Sequence, residues 1–207
     1  MNLSEASQEL ANRGFDYLEG SRRNFMLNTA RSAFEDFWHW PWLERVVTGP
    51  APLAIDSLKY VVYVQNVDLN AELLYLDIRQ VAQNGTPVDM PGIPAYWWLD
   101  GPPGGEDSTV NLNVWPVGPA TLQARVVVET PELSDPDDTP LIPVRYHSLW
   151  IDYAVIEGYK DSDNFVAAQQ LRADLTGRMQ DVVLRYETRN RQHKSFLDSR
   201  WPYAEDA

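Results

Sequence analysis

Apolar residues follow a helical spacing at both ends of this chain and a period of two in its middle. The ends can therefore share a core only if the middle leaves and returns. Such a layout reads as a strand-rich module inserted into a helical base. The second helical block opens with the segment Ile142 to Tyr159, which is apolar on most of its circumference and so belongs at the centre of that base. At 207 residues with 44% hydrophobic content, the chain is long enough for one domain, or one domain plus a small insert, with a real core.

The first block reads as two helices, about residues 4–13 and 21–39, with Ser4 and Ser21 as N-caps and Gly14 and Gly20 as breaks. Phe25, Ala30, Ala33, Phe34 and Phe37 lie close to helical spacing, and Pro41 ends the second helix. Phe34, Phe37, Trp38, Trp40 and Trp42 form an aromatic cluster larger than one helix face hides, so part of it must pack on another element or another chain.

The period of two sets in near Leu53. Leu58–Val64, Leu73–Ile78, Tyr96–Leu99, Val110–Trp115 and Leu122–Val128 are short runs rich in β-branched and aromatic residues, separated by turn signals such as Asn84-Gly85 and Asp100-Gly101. They suit a small antiparallel sandwich or barrel. Thr130 to Pro143, rich in proline and aspartate, reads as an extended connector. Pro143 is placed as a first-turn proline for a helix running to about Tyr159, and Ser162 or Asp163 can cap a second helix to about Asn190. That helix has an apolar stripe of Ala168, Leu171, Leu175, Met179, Val182 and Tyr186. Asp174-Arg178, Asp181-Arg185 and Glu187-Arg191 are i,i+4 pairs on its wet side. The expected class is α+β. N-terminal helices occupy 1–48, the β module and its connector 49–142, a C-terminal helical hairpin 143–190 and a tail 191–207.

Charge narrows the function. Of the net −13, residues 51–142 carry 3 basic against 13 acidic side chains, whereas both ends are nearly balanced. Such a surface repels phosphates, so tight DNA binding is not expected. The chain has no cysteine, no window apolar enough for a membrane span and no signal-like start, which suits a soluble, unexported protein.

No reaction chemistry is legible. His39 lies in the aromatic cluster, His147 on the apolar helix and His193 in a basic stretch, without metal-ligand spacing among them. The glycines from Gly101 to Gly105 lack the lysine and following helix of a phosphate loop. Asp135, Asp137 and Asp138 lack the glutamate of a calcium loop. No catalytic residue, cofactor or metal is expected. Tyr96, Trp97, Trp98 and Trp115 are a candidate sugar platform, although adjacent tryptophans on a strand face opposite ways and one belongs in the core.

Two segments carry a family likeness: Phe25 to Asn28, through Ala30, Ala33 and Phe34, to Trp42-Leu43-Glu44; and Ile142-Pro143 to Tyr146-His147, followed by Ala154 and Gly158-Tyr159. In these the chain resembles the head-to-tail adaptor (head-completion, connector) proteins of tailed bacteriophages. The resemblance implies a structural protein of the virion, assembled in the host cytoplasm. Twelve copies would form a ring under the portal protein, extend the channel for double-stranded DNA and offer a surface to a tail-side protein, with no membrane involved. On that reading the portal interface falls to Arg189, Arg191, Lys194, Phe196, Leu197, Arg200 and Trp201. The aromatic cluster faces neighbouring copies, and Asp135, Asp137 and Asp138 face the channel. The alternative is a carbohydrate- or cell-surface-binding module of a phage tail, motivated by the Tyr96 to Trp98 run and Trp115.

Overall fold

A computed structural model of the chain describes residues 1–83, 85, 87–101, 103 and 108–198, with side chains as far as Thr188. The protein is mixed, 45% helical and 25% strand, so neither class dominates. It forms two compact units: Met1–His39 with the chain from Glu132 onward, and Trp40–Pro131.

The first unit is helical. Helix α1 (Leu3–Leu10) starts two residues earlier than Ser4 suggests, because Asn2 and Glu5 form a capping box: Glu5 N–H donates to Asn2 Oδ1 at 2.8 Å and Asn2 N–H to Glu5 Oε2 at 3.0 Å. Two further N–H groups of its first turn, those of Leu3 and Ser4, donate to the carbonyls of Asp138 and Pro136. A π-turn over Ala11–Phe15 follows, and it needs Gly14 at φ +101°. Helix α2 (Gly20–Asp36) buries Met26, Leu27, Ala30 and Phe34. This face is rotated from the expected one. Phe25 is exposed with the Arg22 guanidinium over its ring, and Ala33 is exposed as well.

Helix α4 (His147–Asp161) packs on α1, α2 and α5 (Phe165–Asp198) and buries residues around most of its circumference. Pro143 stands just before a single 3₁₀ turn, Val144–Tyr146, and the α-helix begins only after it. Asn164 caps α5 by accepting from Ala167 N–H at 3.3 Å, while Asp163 takes a left-handed conformation and Ser162 donates back to the Gly158 carbonyl. Ala168, Leu175, Met179 and Val182 are buried on the expected stripe. The helix continues to Asp198, beyond the expected end at Asn190.

Phe15 lies against α4 where Gly158 has no side chain. A Cβ there would stand 2.4 Å from Phe15 Cε1, well inside contact distance. Gly158→Ala should therefore destabilise the protein by about 1–3 kcal/mol through overpacking. Urea titration followed by circular dichroism measures it, and a neutral substitution would mean that the Phe15 ring has room to move.

The second unit holds two four-stranded sheets. Strands β1 (Glu44–Pro50), β8 (Thr121–Val128), β3 (Leu58–Asn66) and β4 (Ala71–Glu72) lie in that order, all antiparallel. The other sheet orders β2 (Leu53–Asp56), β7 (Thr109–Trp115), β6 (Tyr96–Asp100) and β5 (Leu74–Tyr75), antiparallel except for the parallel pair β5 and β6. Both sheets contribute to one apolar core, with Leu53, Ile55, Val110 and Leu112 from one and Leu58, Val64, Leu122 and Val126 from the other.

Of the expected strand Leu73–Ile78 only β5 (Leu74–Tyr75) is strand, and its end passes into the short helix α3 (Ile78–Gln83). Asp77 explains the break. Its Oδ1 accepts from Arg79 N–H at 3.0 Å and turns the chain into the helix. Strand β1 went unforeseen because its residues are half-buried or exposed throughout, leaving no alternation to read.

Candidate functional site

The helical parts of the two segments that carry the family likeness meet inside the helical unit, while Trp42-Leu43-Glu44 belongs to the other. Trp150 of α4, fully buried, donates its Nε1–H to the Leu27 carbonyl of α2 at 2.8 Å. At the next residue of α2, Asn28 grips the returning connector at both ends of its amide. Its Nδ2 donates to the Leu133 carbonyl at 3.0 Å, and its Oδ1 accepts from Leu133 N–H at 2.9 Å. His147 is buried edge-on to Trp150, with Nε2 at 2.8 Å from the Ile142 carbonyl. A carbonyl only accepts, so that nitrogen carries the proton. Burial holds the imidazole pKa below its usual value, which keeps His147 neutral. Asn28, His147 and Gly158 thus serve the joint between helices.

Asp152, an acidic residue on this central helix, is 7% exposed. Arg13 Nη1 approaches one of its oxygens at 2.5 Å and Arg178 Nη1 the other at 2.6 Å, so one carboxylate ties the π-turn, α4 and α5 together. Sequence spacing assigned Arg178 to Asp174 on the wet side. That contact exists at 3.5 Å, but the arginine's closer partner is Asp152. No local pattern could reveal it, since Arg13 lies 139 positions away.

The aromatic cluster is divided between the units, with Phe34, Phe37 and Trp38 in the helical one and Trp40 and Trp42 in the other. Phe34 and Trp40 are completely buried within the single chain. Phe37, Trp38 and Trp42 are half-buried: Trp38 lies 6.0 Å from the Tyr186 ring and Trp42 stacks on Trp40 at 4.6 Å. Sequence inspection missed other exposed apolar side chains of the helical unit, above all Val144 at 76% and Val166 at 68%, because single residues off a helix face leave no pattern.

Asp135, Asp137 and Asp138 fall in the helical unit. Asp138 is a turn residue. Its Oδ2 accepts the N–H groups of Asp135 and Ser134, both at 2.8 Å, and those bonds hold its carboxyl below the usual carboxylate range. Asp135 and Asp137 are exposed. The side chains of Arg189, Arg191, Lys194, Phe196 and Leu197, together with Arg200 and Trp201 entirely, lie outside the described residues, as does the side chain of His193.

In the β unit, the tryptophan pair of β6 separates as strand geometry requires. Trp97 and Leu99 pack against the core, and Trp97 meets Tyr75 edge-on at 5.0 Å. Tyr96 pairs across the sheet with Trp115 at 5.9 Å. Trp98 stands opposite Asn113 and lines two clefts, one of about 310 Å³ with Asp89 and Asn113, the other of about 420 Å³ with Asp77 and Arg79. Both volumes suit small-molecule ligands.

Among the described residues, no three His, Asp or Glu side chains gather as a metal would require, and no helix is long and apolar enough to cross a membrane. No protein-family model matches the chain and no curated protein matches it.

Proposed function

We propose that this protein is a structural adaptor of a phage head-to-tail connector. It forms a ring under the portal, prolongs the DNA channel and offers the tail its attachment surface. In this reading the helical unit is a bundle built from both chain ends, and the β unit is an inserted sandwich that projects from the ring. The observation that carries the proposal is the joint of α2 and α4. The helical parts of the two segments resembling the adaptor family, from Phe25 to Phe34 and from Ile142 to Tyr159, come from either side of the 92-residue span Trp40–Pro131, yet they meet through Trp150 and Leu27. Isolated lookalike motifs would have no reason to converge. The acidic balance also fits a wall that DNA passes without sticking.

The continuation of α5 to Asp198 alters how the C-terminal segment would work. Its first half is helical and would project the basic and aromatic residues as an extension of α5. Truncation after Asn190 should leave a protein with the same melting temperature that no longer binds the portal encoded alongside it, measured by biolayer interferometry. Trp201→Ala alone should weaken binding by about 2 kcal/mol, as buried aromatic anchors do. Undiminished binding by the truncated chain would remove the tail as anchor and leave Trp38 as the leading contact.

A further inference from the structure

We infer that the outer face of the sheet β2-β7-β6-β5 is a binding site for a neutral oligosaccharide, with one sugar ring stacked on Trp98 and the rest of the chain lying in the clefts on either side. The inference does not depend on the adaptor reading.

The first cleft has a built wall. Residues Pro87 to Gly92 form a strap secured to the end of β7. Val117 N–H donates to the Met90 carbonyl at 2.8 Å, Gly92 N–H to the Val117 carbonyl at 3.0 Å, and Trp115 Nε1–H to the Pro87 carbonyl at 3.4 Å. Two glycines permit this approach. A Cβ on Gly118 would stand 2.3 Å from the Gly92 carbonyl oxygen, and one on Gly92 would stand 2.9 Å from Pro116 Cβ. The strap supplies Val88 and Asp89 to the cleft that Trp98 and Asn113 also line. The site is thus held in shape by backbone bonds before any ligand arrives, which lowers the ordering cost of binding.

The polar groups decide the ligand class. Asn113 Nδ2 already donates to the Asn111 carbonyl at 3.2 Å, and Trp115 Nε1 is taken by Pro87. What the first cleft offers along its wall is chiefly acceptors, the Asn113 carbonyl oxygen and the Asp89 carboxylate, while the second sets the Asp77 carboxylate beside the Arg79 guanidinium, a donor. A ligand must therefore bring donors to the first cleft and acceptors to Arg79 in the second, as well as a flat apolar face, and a pyranose brings hydroxyls that do both on its rim and C–H groups on its face. A proline-rich peptide brings carbonyl acceptors and few N–H groups. Nucleotides are disfavoured because the unit carries 10 acidic residues against 4 basic ones. An alkylammonium ligand would satisfy the carboxylates, but sites for such cations enclose the charge in several aromatic faces, whereas here Tyr96 is turned to Trp115 and Trp97 to the core.

The test is isothermal titration calorimetry of the full chain with the hexasaccharides of glucose (β-1,4 and α-1,4), N-acetylglucosamine and mannose. A proline-rich decapeptide and a tetralysine peptide serve as competing probes. Saturable binding of at least one glycan is expected, weakened about tenfold or more by Trp98→Ala and reduced by Asn113→Ala, with Trp38→Phe unchanged. Should Trp98→Ala fail to fold, Val88→Trp, which fills the first cleft from its exposed wall, gives the same reading. No binding of any of the four glycans overturns the inference, as does glycan binding that survives both cleft variants, or binding of either peptide alone. Portal binding by Trp98→Ala should equal that of the unaltered chain, so failure here is distinguishable from failure of the adaptor role.

Discussion

Trp150→Ala is expected to destabilise the helical unit by about 4 kcal/mol, the largest effect of any single truncation in it. Trp150 is fully buried on α4, the helix that packs on α1, α2 and α5, so the cavity opens where the helical unit is least able to collapse. The indole hydrogen bond to Leu27 is lost as well. Trp150→Phe separates the two contributions, since it keeps most of the volume and forfeits the bond, worth about 1 kcal/mol. Urea titration monitored by circular dichroism reads both. A loss below about 1 kcal/mol for the alanine variant would mean that α4 is not central to the fold.

Asp152→Ala should cost about 3 kcal/mol, by a different route. Removing the carboxylate takes the closest partner from two guanidinium groups that lie 2.5 and 2.6 Å from its oxygens, leaving them only Glu9 and Asp174 on their own helical turns. Loss of one member of such a pair is penalised more heavily than the pair itself is rewarded. Arg13 and Arg178 keep 34% and 41% of their side-chain surface, so water recovers part of the charge, and the cost falls at the lower end of the usual range. Asp152→Asn tests the charge separately, because it preserves the shape and two acceptor directions at most. Full restoration by asparagine would show that packing, and not charge, is what Asp152 contributes. Adding Arg13→Ala and Arg178→Ala to Asp152→Ala should recover part of the stability by removing the cations that lost their closest partner.

Much of the architecture was legible because it is written in local periods. The apolar circumference of α4 announced a central helix, and β3, β7 and β8 alternate or run apolar over whole strands. Boundaries were less legible where a polar side chain overrides the period. Asn2 starts α1 ahead of Ser4, Asp77 converts the end of an expected strand into α3, and Asn164 displaces Asp163 as the cap of α5. The interactions that fix the helices to one another were not legible at all. Arg13, Arg178 and Asp152 each have an unremarkable sequence context, and only the fold brings them together. The Trp98 clefts were half legible: the aromatic run was plain, but the strap that completes the first one depends on Gly92 and Gly118, which read as ordinary turn residues.

The proposed adaptor role requires the chain to add to the portal as a ring, and mass photometry of the purified chain with and without the portal tests that most directly. The chain alone should appear at the mass of a monomer, 23.7 kDa, and the portal should gain the mass of a full ring of copies in a single saturating step. A portal peak that does not move when the chain is added would contradict the adaptor role. A stable ring formed by the chain alone would contradict assembly templated by the portal.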